Sequence, residues 1–243
     1  MIRILILLLI LSGAASCRMF RDTEGWDIKS KHNSDNEIFR TNSKFTYSIL
    51  RIKGSDTLDS YIVNHLKDTL EVSKVILTVL PGQIMGQTKI KWEYTGLNDS
   101  VVHKAITGIV EDSNKVWIHP PRTGIPCVYT EAAPFPEVRF PIESGKHWTG
   151  GLTGLKGYKE IGLEGKVAFE YAIYGREGIK TDYKPFANCW KIQSKGESSI
   201  GTSTHTYFYD EKYGFIHSEY NFPTGERLVI TCLLYTSPSP RDS

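Results

Sequence analysis

TKIKWEY, residues 88–94, places Ile90, Trp92 and Tyr94 on one side of an extended chain and Lys89, Lys91 and Glu93 on the other. Successive side chains leave a strand on opposite sides, so a period of two marks a strand buried on one face and wet on the other. The pattern returns in KVAFEYAIY, residues 166–174, where Val167, Phe169, Tyr171 and Ile173 share a face. Outward from these two anchors, residues 45–50 alternate in the same way through Phe45, Tyr47 and Ile49. Residues 101–110 and 116–119 continue the series, with Asp112, Ser113 and Asn114 as a turn between them.

The second half keeps the rhythm. Residues 188–194, 202–209, 215–222 and 227–231 read as strands, and Gly196, residues 210–212 and residues 223–225 read as the breaks between them. Gly175 to Gly178 (GREG) reads as a turn. Residues 61–66 and 70–80 are rich in β-branched residues, and Pro81-Gly82 is expected to end the second of these runs. A helical stripe through Ile62, Leu66 and Leu70 competes there. Short strands with no alternating helices predict an all-β fold, an antiparallel meander, with a single domain over residues 44–231.

One stretch does not fit that rhythm. Residues 120–141 hold Pro120, Pro121, Pro126, Pro134, Pro136 and Pro141. Residues without an N–H cannot serve in a sheet interior, so this is a long ordered crossing or an edge.

The chain opens with Met1-Ile2-Arg3, an apolar run from Ile4 to Leu11, and small residues leading to Cys17. Charged, apolar, small is the order of an export signal, here residues 1–16, and the apolar run is too short to span a bilayer. A Cys after small residues resembles the bacterial lipobox, which implies diacylation of Cys17. Ala14 stands where that family prefers Leu, and the same residues suit an ordinary soluble export signal. Arg18 rather than Asp after the Cys points, by resemblance to enteric sorting, to the outer membrane facing the periplasm. The alternative is a soluble periplasmic or secreted protein. Residues 17–43, polar and rich in Asp, Asn, Ser and Lys, read as a tether.

At the other end, CLLYTSPSPRD, residues 232–242, coincides with the in-frame translation of a transposon adapter used in sequencing libraries. A Ser/Pro-rich tail has a similar composition. Residues 232–243 are therefore set aside as appended sequence.

With Cys17 and Cys232 accounted for, Cys127 and Cys189 remain of four cysteines, in a chain bound for an oxidising compartment. They are expected to pair, with two separate buried thiols as the alternative. The spacings of zinc sites are absent, so no metal is expected. The formal net charge is +2 without a basic block, which argues against nucleic acid as a partner. No nucleophile elbow or phosphate loop stands out, the seven His are scattered, and Gly150 to Gly154 reads as strand or turn. His119 with Arg122 and downstream His147 is the best cluster, with Arg122 more simply a loop anchor; Glu131 and Glu137 give no reliable carboxylate pair. The expectation is a protein that is not an enzyme and needs no cofactor.

Residues 120–148, PPRTGIPCVYTEAAPFPEVRFPIESGKHW, and 207–230, YFYDEKYGFIHSEYNFPTGERLVI, resemble uncharacterised Gram-negative exported lipoproteins. The second segment is also similar to the end of curved-sheet proteins related to the periplasmic lipoprotein carriers, through Tyr207, Phe208, Gly214, Phe215 and Gly225. That resemblance implies a strongly bent, half-barrel-like antiparallel sheet with few helices, whose concave face holds a lipid-like ligand, and it implies no catalytic residues. Ile90, Trp92, Tyr94, Phe169 and Tyr171 are the candidate lining residues, although a filled core would use the same ones. The partners expected are the membrane, through the N-terminal lipid, and an apolar ligand or an envelope protein. A structural or interaction lipoprotein without a cavity is the alternative function.

Overall fold

The computed structural model describes residues 36–63 and 69–236. The signal segment, Cys17 and the tether up to residue 35 lie outside them, as do residues 237–243.

Fifteen strands account for most of the described chain: β1 (Lys44–Lys53), β2 (Asp56–Leu58), β3 (Ser60–Val63), β4 (Thr69–Val72), β5 (Lys74–Ile84), β6 (Gln87–Thr95), β7 (Val101–Glu111), β8 (Lys115–Ile118), β9 (Glu137–Arg139), β10 (His147–Tyr158), β11 (Leu163–Lys180), β12 (Pro185–Ser198), β13 (Gly201–Asp210), β14 (Gly214–Asn221) and β15 (Glu226–Thr236). Thirteen form one antiparallel sheet, in the order β10-β11-β12-β13-β14-β15-β1-β5-β6-β7-β8-β9, with β2 hairpinned onto β1. Strands β3 and β4 pair separately. Among the described residues, helix is limited to short 3-10 turns such as Cys127–Ala132.

The first strand therefore lies in the middle, between the last strand and β5, and two hairpin meanders run outward from it. The two edges, β9 and β10, are consecutive in sequence. Only residues 140–146 join them, and the Arg139 guanidinium sits 5.7 Å from the Trp148 ring centroid. The Lys146 ammonium donates to the Arg139 carbonyl at 3.3 Å. The sheet is thus curled until its edges face each other, without a ladder between them. This is the nearly all-β antiparallel meander that the alternation predicts, bent and left open as the resemblance implies.

Several boundaries differ from the sequence reading. Pro81-Gly82 does not end a strand: β5 passes through it to Ile84, and the register slips between Val79 and Gln83. Proline is tolerated at such a bulge because no ladder N–H is needed there. Nor does Gly175 to Gly178 turn the chain. β11 continues to Lys180 across two irregularities against β12, and the turn comes at Thr181–Lys184, where Thr181 Oγ1 donates to the Lys184 carbonyl at 3.0 Å. Gly196 lies inside β12. Residues 60–63 and 69–72 are strand, while residues 64–68 of the competing helical stripe lie outside the described residues. The β1–β15 ladder continues past position 231, pairing Tyr47 with Cys232 and Phe45 with Tyr235.

The folded part also begins before Lys44. Ile38 and Phe39 are buried, and Phe39 packs on Phe45 with ring centroids 4.9 Å apart. The Glu111 carboxylate accepts the backbone N–H groups of Glu37, Ile38 and Phe39 at 3.0, 2.9 and 2.9 Å. The Asn36 amide donates to the Phe39 carbonyl at 3.0 Å and to Thr88 Oγ1 at 3.1 Å. The tether thus enters at the end of the sheet where β6 starts and β7 stops.

Candidate functional site

The concave face is where a ligand was expected, and the Pro-rich crossing lies across it. Residues 119–136 leave β8, form the 3-10 turn Cys127–Ala132 and return to β9. The turn fits its sequence: Thr130 Oγ1 donates to the Cys127 carbonyl at 2.7 Å, with the Pro121 carbonyl 3.3 Å away, so the hydroxyl replaces a ladder partner that the loop cannot find. Ala132, Ala133 and Phe135 are buried, and Phe135 packs against Trp117, His119 and Phe169.

A buried loop must satisfy its own polar backbone. Here the sheet does it with side chains. His205 Nδ1 donates to the Pro134 carbonyl at 3.0 Å, which assigns the proton to that nitrogen. The Tyr171 hydroxyl donates to the Phe135 carbonyl at 3.2 Å. The Tyr207 hydroxyl donates to the Glu137 carbonyl and accepts the Glu137 N–H. From the other meander, Trp92 Nε1 donates to the His119 carbonyl at 3.1 Å, and the Tyr94 hydroxyl accepts the Thr123 N–H at 3.0 Å. Gly196 permits the close approach, since a β-carbon there would stand 3.0 Å from Pro134 Cδ and 3.1 Å from the Ala132 carbonyl oxygen.

All five candidate lining residues are therefore on the concave face, and all five are buried. Trp92 and Tyr94 hold the crossing by hydrogen bonds. Phe169 meets Phe135, and Tyr171 stacks on Trp148 with centroids 4.9 Å apart. Ile90 is wholly buried in the same core. Trp92, Tyr94, Phe169 and Tyr171 meet the protein's own crossing.

His119 and Arg122 do come together, with ring nitrogen and guanidinium 3.5 Å apart. The partner that decides their role is Glu131, whose carboxylate takes Arg122 at 3.0 Å while wholly buried. Burial raises the Glu131 carboxyl above the usual carboxylate range despite Arg122. Burial, then the Arg122 charge, brings His119 down to about 3, so its ring is neutral. His205, stacked 3.8 Å from Tyr220, is brought to about 3 by burial as well. Glu137 faces Arg139 and not Glu131, so the two carboxylates do not form an acid–base pair. Among the described residues no cluster of three His, Cys, Asp or Glu could hold a metal.

The expected Cys127–Cys189 bridge is not formed: both thiols are free and buried. Burial raises each to about 12, which keeps them protonated. Cys127 sits in the crossing near Tyr94 and Tyr220, whereas Cys189 lies on β12 among Asp210, Arg176 and Lys184. Each packs as a small hydrophobe in its own neighbourhood.

Sequence reasoning missed the polar pins. Tyr207 and His205 read only as strand residues, and nothing near Glu111 announces that it clasps a segment more than seventy residues away. The one available signal was AAPFP, residues 132–136, which is uncharged and apolar and so suits a loop that turns inward.

The chain is thus an open, curled antiparallel sheet with its concave face filled by its own loop. No family model matches it, and no curated protein matches it. Solved structures similar to it include a candidate lipoprotein from Parabacteroides distasonis, at a TM-score of 0.46 and 9% identity over 82% of this chain and 97% of that one. A candidate exported protein with a YmcC-like fold from Bacteroides fragilis gives 0.44 and 8%, covering 82% and 98%. The hypothetical lipoprotein YmcC from Escherichia coli gives 0.34 and 13%, covering 84% and 92%.

Proposed function

We propose that this chain is a non-enzymatic lipoprotein, anchored through Cys17 at the outer membrane facing the periplasm, that serves the cell envelope as a structural or interaction module. The observation that supports a module over a ligand carrier is the crossing itself. The backbone carbonyls of Pro134, Phe135 and Glu137 are bonded by His205, Tyr171 and Tyr207, in the space a lipid-like ligand would fill. Opening that space would strand several buried polar groups at once, each at a cost of about 1–3 kcal/mol. Its work is then done by surfaces outside the sheet's interior.

Native mass spectrometry after mild extraction tests this. The expected species is the protein from Cys17 with its acyl mass and nothing more. A lipid that co-purifies in stoichiometric amount would restore the carrier function, and a mature species without acyl mass would remove the anchor.

A further inference from the structure

The two facing edges of the sheet are built differently. β9 is three residues long, carries Glu137 and Arg139, and stands between Pro136 and Pro141. Shortness, charge and proline are how natural edges avoid pairing with other chains. β10 is twelve residues long, and nothing from Trp148 to Leu155 carries a charge. Its ladder with β11 uses one side of it alone. The Ile173 N–H donates to the Lys146 carbonyl, so by alternation Trp148, Gly150 and Leu152 bond to Tyr171, Phe169 and Val167. The backbone N–H and C=O groups of Thr149, Gly151 and Thr153 then point away from the sheet, and no described residue bonds them. Thr149 and Thr153 are exposed, and Gly151 is half-buried.

An edge of this kind is a template for another strand. Its sequence favours its own copy. With a second β10 laid antiparallel about a two-fold axis at Gly151, Thr149, Gly151 and Thr153 face the partner's Thr153, Gly151 and Thr149, and each facing pair exchanges two backbone bonds. On the outer side this sets threonine opposite threonine twice, a favourable cross-strand pair. On the inner side Leu152 comes opposite the partner's Gly150. A β-carbon on Gly150 would meet only the Tyr171 and Phe169 rings, at 3.8 and 4.0 Å, so the leucine covers a spot that the glycine leaves bare. No like charges meet within the pairing. Lys156 lies past the irregularity between Thr153 and Leu155, and Lys146 is already held by the Arg139 and Pro141 carbonyls at 3.3 and 2.8 Å.

We propose that the β10 edge docks a second copy of this chain, paired antiparallel about Gly151, so that two curled sheets join across Thr149–Thr153. This rests on the interaction-module reading and gives that module its surface; it uses neither the sheet's interior nor the Cys17 lipid. β9, the strand that faces β10, stops after three residues and so leaves the edge open to an incoming strand. Main-chain hydrogen bonds carry the contact, and the paired segment is short, so the dimer forms and parts with concentration.

The test uses the full-length protein in mild detergent. Thr149→Cys and Thr153→Cys proteins are mixed and treated with a short bis-maleimide, with the parent protein as background. Cys127, Cys189 and Cys232 are buried, which leaves the introduced thiols to react. In this register position 149 faces position 153 of the partner, whereas the two 149 positions stand about 14 Å apart along the strands. The mixture is expected to give a cross-linked dimer, and either variant alone none. In sedimentation equilibrium, Thr149→Lys with Thr153→Lys sets lysine against lysine twice and is expected to weaken the dimer about tenfold. Thr149→Lys with Thr153→Glu sets opposite charges in the same places and is expected to restore it. Both positions are exposed, so the circular dichroism of every variant should match the parent. A monomer at all concentrations overturns the inference, and so does equal cross-linking in the single variants, which would mean no fixed register. A different polypeptide found on the edge and displaced by the lysine pair overturns it in favour of another partner. A stoichiometric lipid in the native mass spectrum would instead overturn the module reading, and the cross-linking would still decide the edge by itself.

Discussion

Residues 80–87 and residues 119–136 both interrupt the sheet with proline, yet the first stretch ends outside it and the second inside. The difference lies in what each can offer as partners. The crossing brings Ala132, Ala133 and Phe135 to bury, and it meets Trp92, Tyr94, Tyr171, His205 and Tyr207, whose polar atoms replace the ladder its backbone lacks. The hairpin tip has glycines, a proline and few apolar side chains, and its Met85 stays exposed. Proline alone excludes a sheet interior; it does not say which side of the sheet the chain takes.

Substitutions should separate the two stretches sharply. Phe135→Ala removes the aromatic plug of the crossing and is expected to cost about 3–5 kcal/mol, read from the shift in the urea midpoint. A loss below ~1 kcal/mol would mean that the crossing is a lid and not core. Tyr207→Phe keeps the ring and strands the Glu137 carbonyl and N–H, for an expected loss of about 1–3 kcal/mol in the same assay.

Acid should find the crossing too. His119 and His205 are held at about 3 in the fold, whereas a free imidazole takes its proton near 6.5. Between those values the unfolded chain binds more protons than the native one, so stability falls as pH drops from about 6.5 towards 3. Glu131 works the other way: its raised carboxyl binds a proton in the native state before the unfolded one, which offsets part of the loss as the acid deepens. The urea midpoint should therefore be lower at pH 4 than at pH 7, and His205→Phe should flatten the dependence. A midpoint that does not move with pH in the parent protein would show that water reaches both rings. The smallest effect belongs to the tip. Met85→Ala is expected to change stability by no more than about 0.5 kcal/mol, as exposed substitutions do.

The same contrast explains what could be read from the sequence alone. Ile90, Trp92 and Tyr94 alternate because one face of β6 is buried, and that face needs no knowledge of what covers it. The strands were legible for this reason. Turn signals were less so, since Gly175 and Pro81 look alike whether the chain reverses or merely bulges; a neighbouring strand decides, and β12 and β6 keep the chain extended. The candidate lining residues all lie on a buried face, but their covering comes from a loop whose route depends on Tyr171, His205 and Tyr207 in the other half. The docked end of the tether was hidden similarly. Ile38 and Phe39 are two apolar residues in a polar stretch, and only the distant Glu111 carboxylate makes their backbone a fixed part of the fold.

The strand order carries a consequence for how the protein assembles. Most neighbouring pairs in the main sheet are consecutive hairpins; β1 with β5 and β8 with β9 span an intervening segment, and β1 with β15 meet across nearly the whole domain, as Ser48 does with Thr231. Each meander can form by local hairpins, but the two halves join only when the final strand arrives, which makes this one pairing the slow, high-contact-order step. A circular permutant opened within residues 140–146 and closed between the adjacent ends of β15 and β1 would keep every pairing and make that of β1 with β15 local. Such a chain should reach the same sheet sooner, with no change in what holds it together.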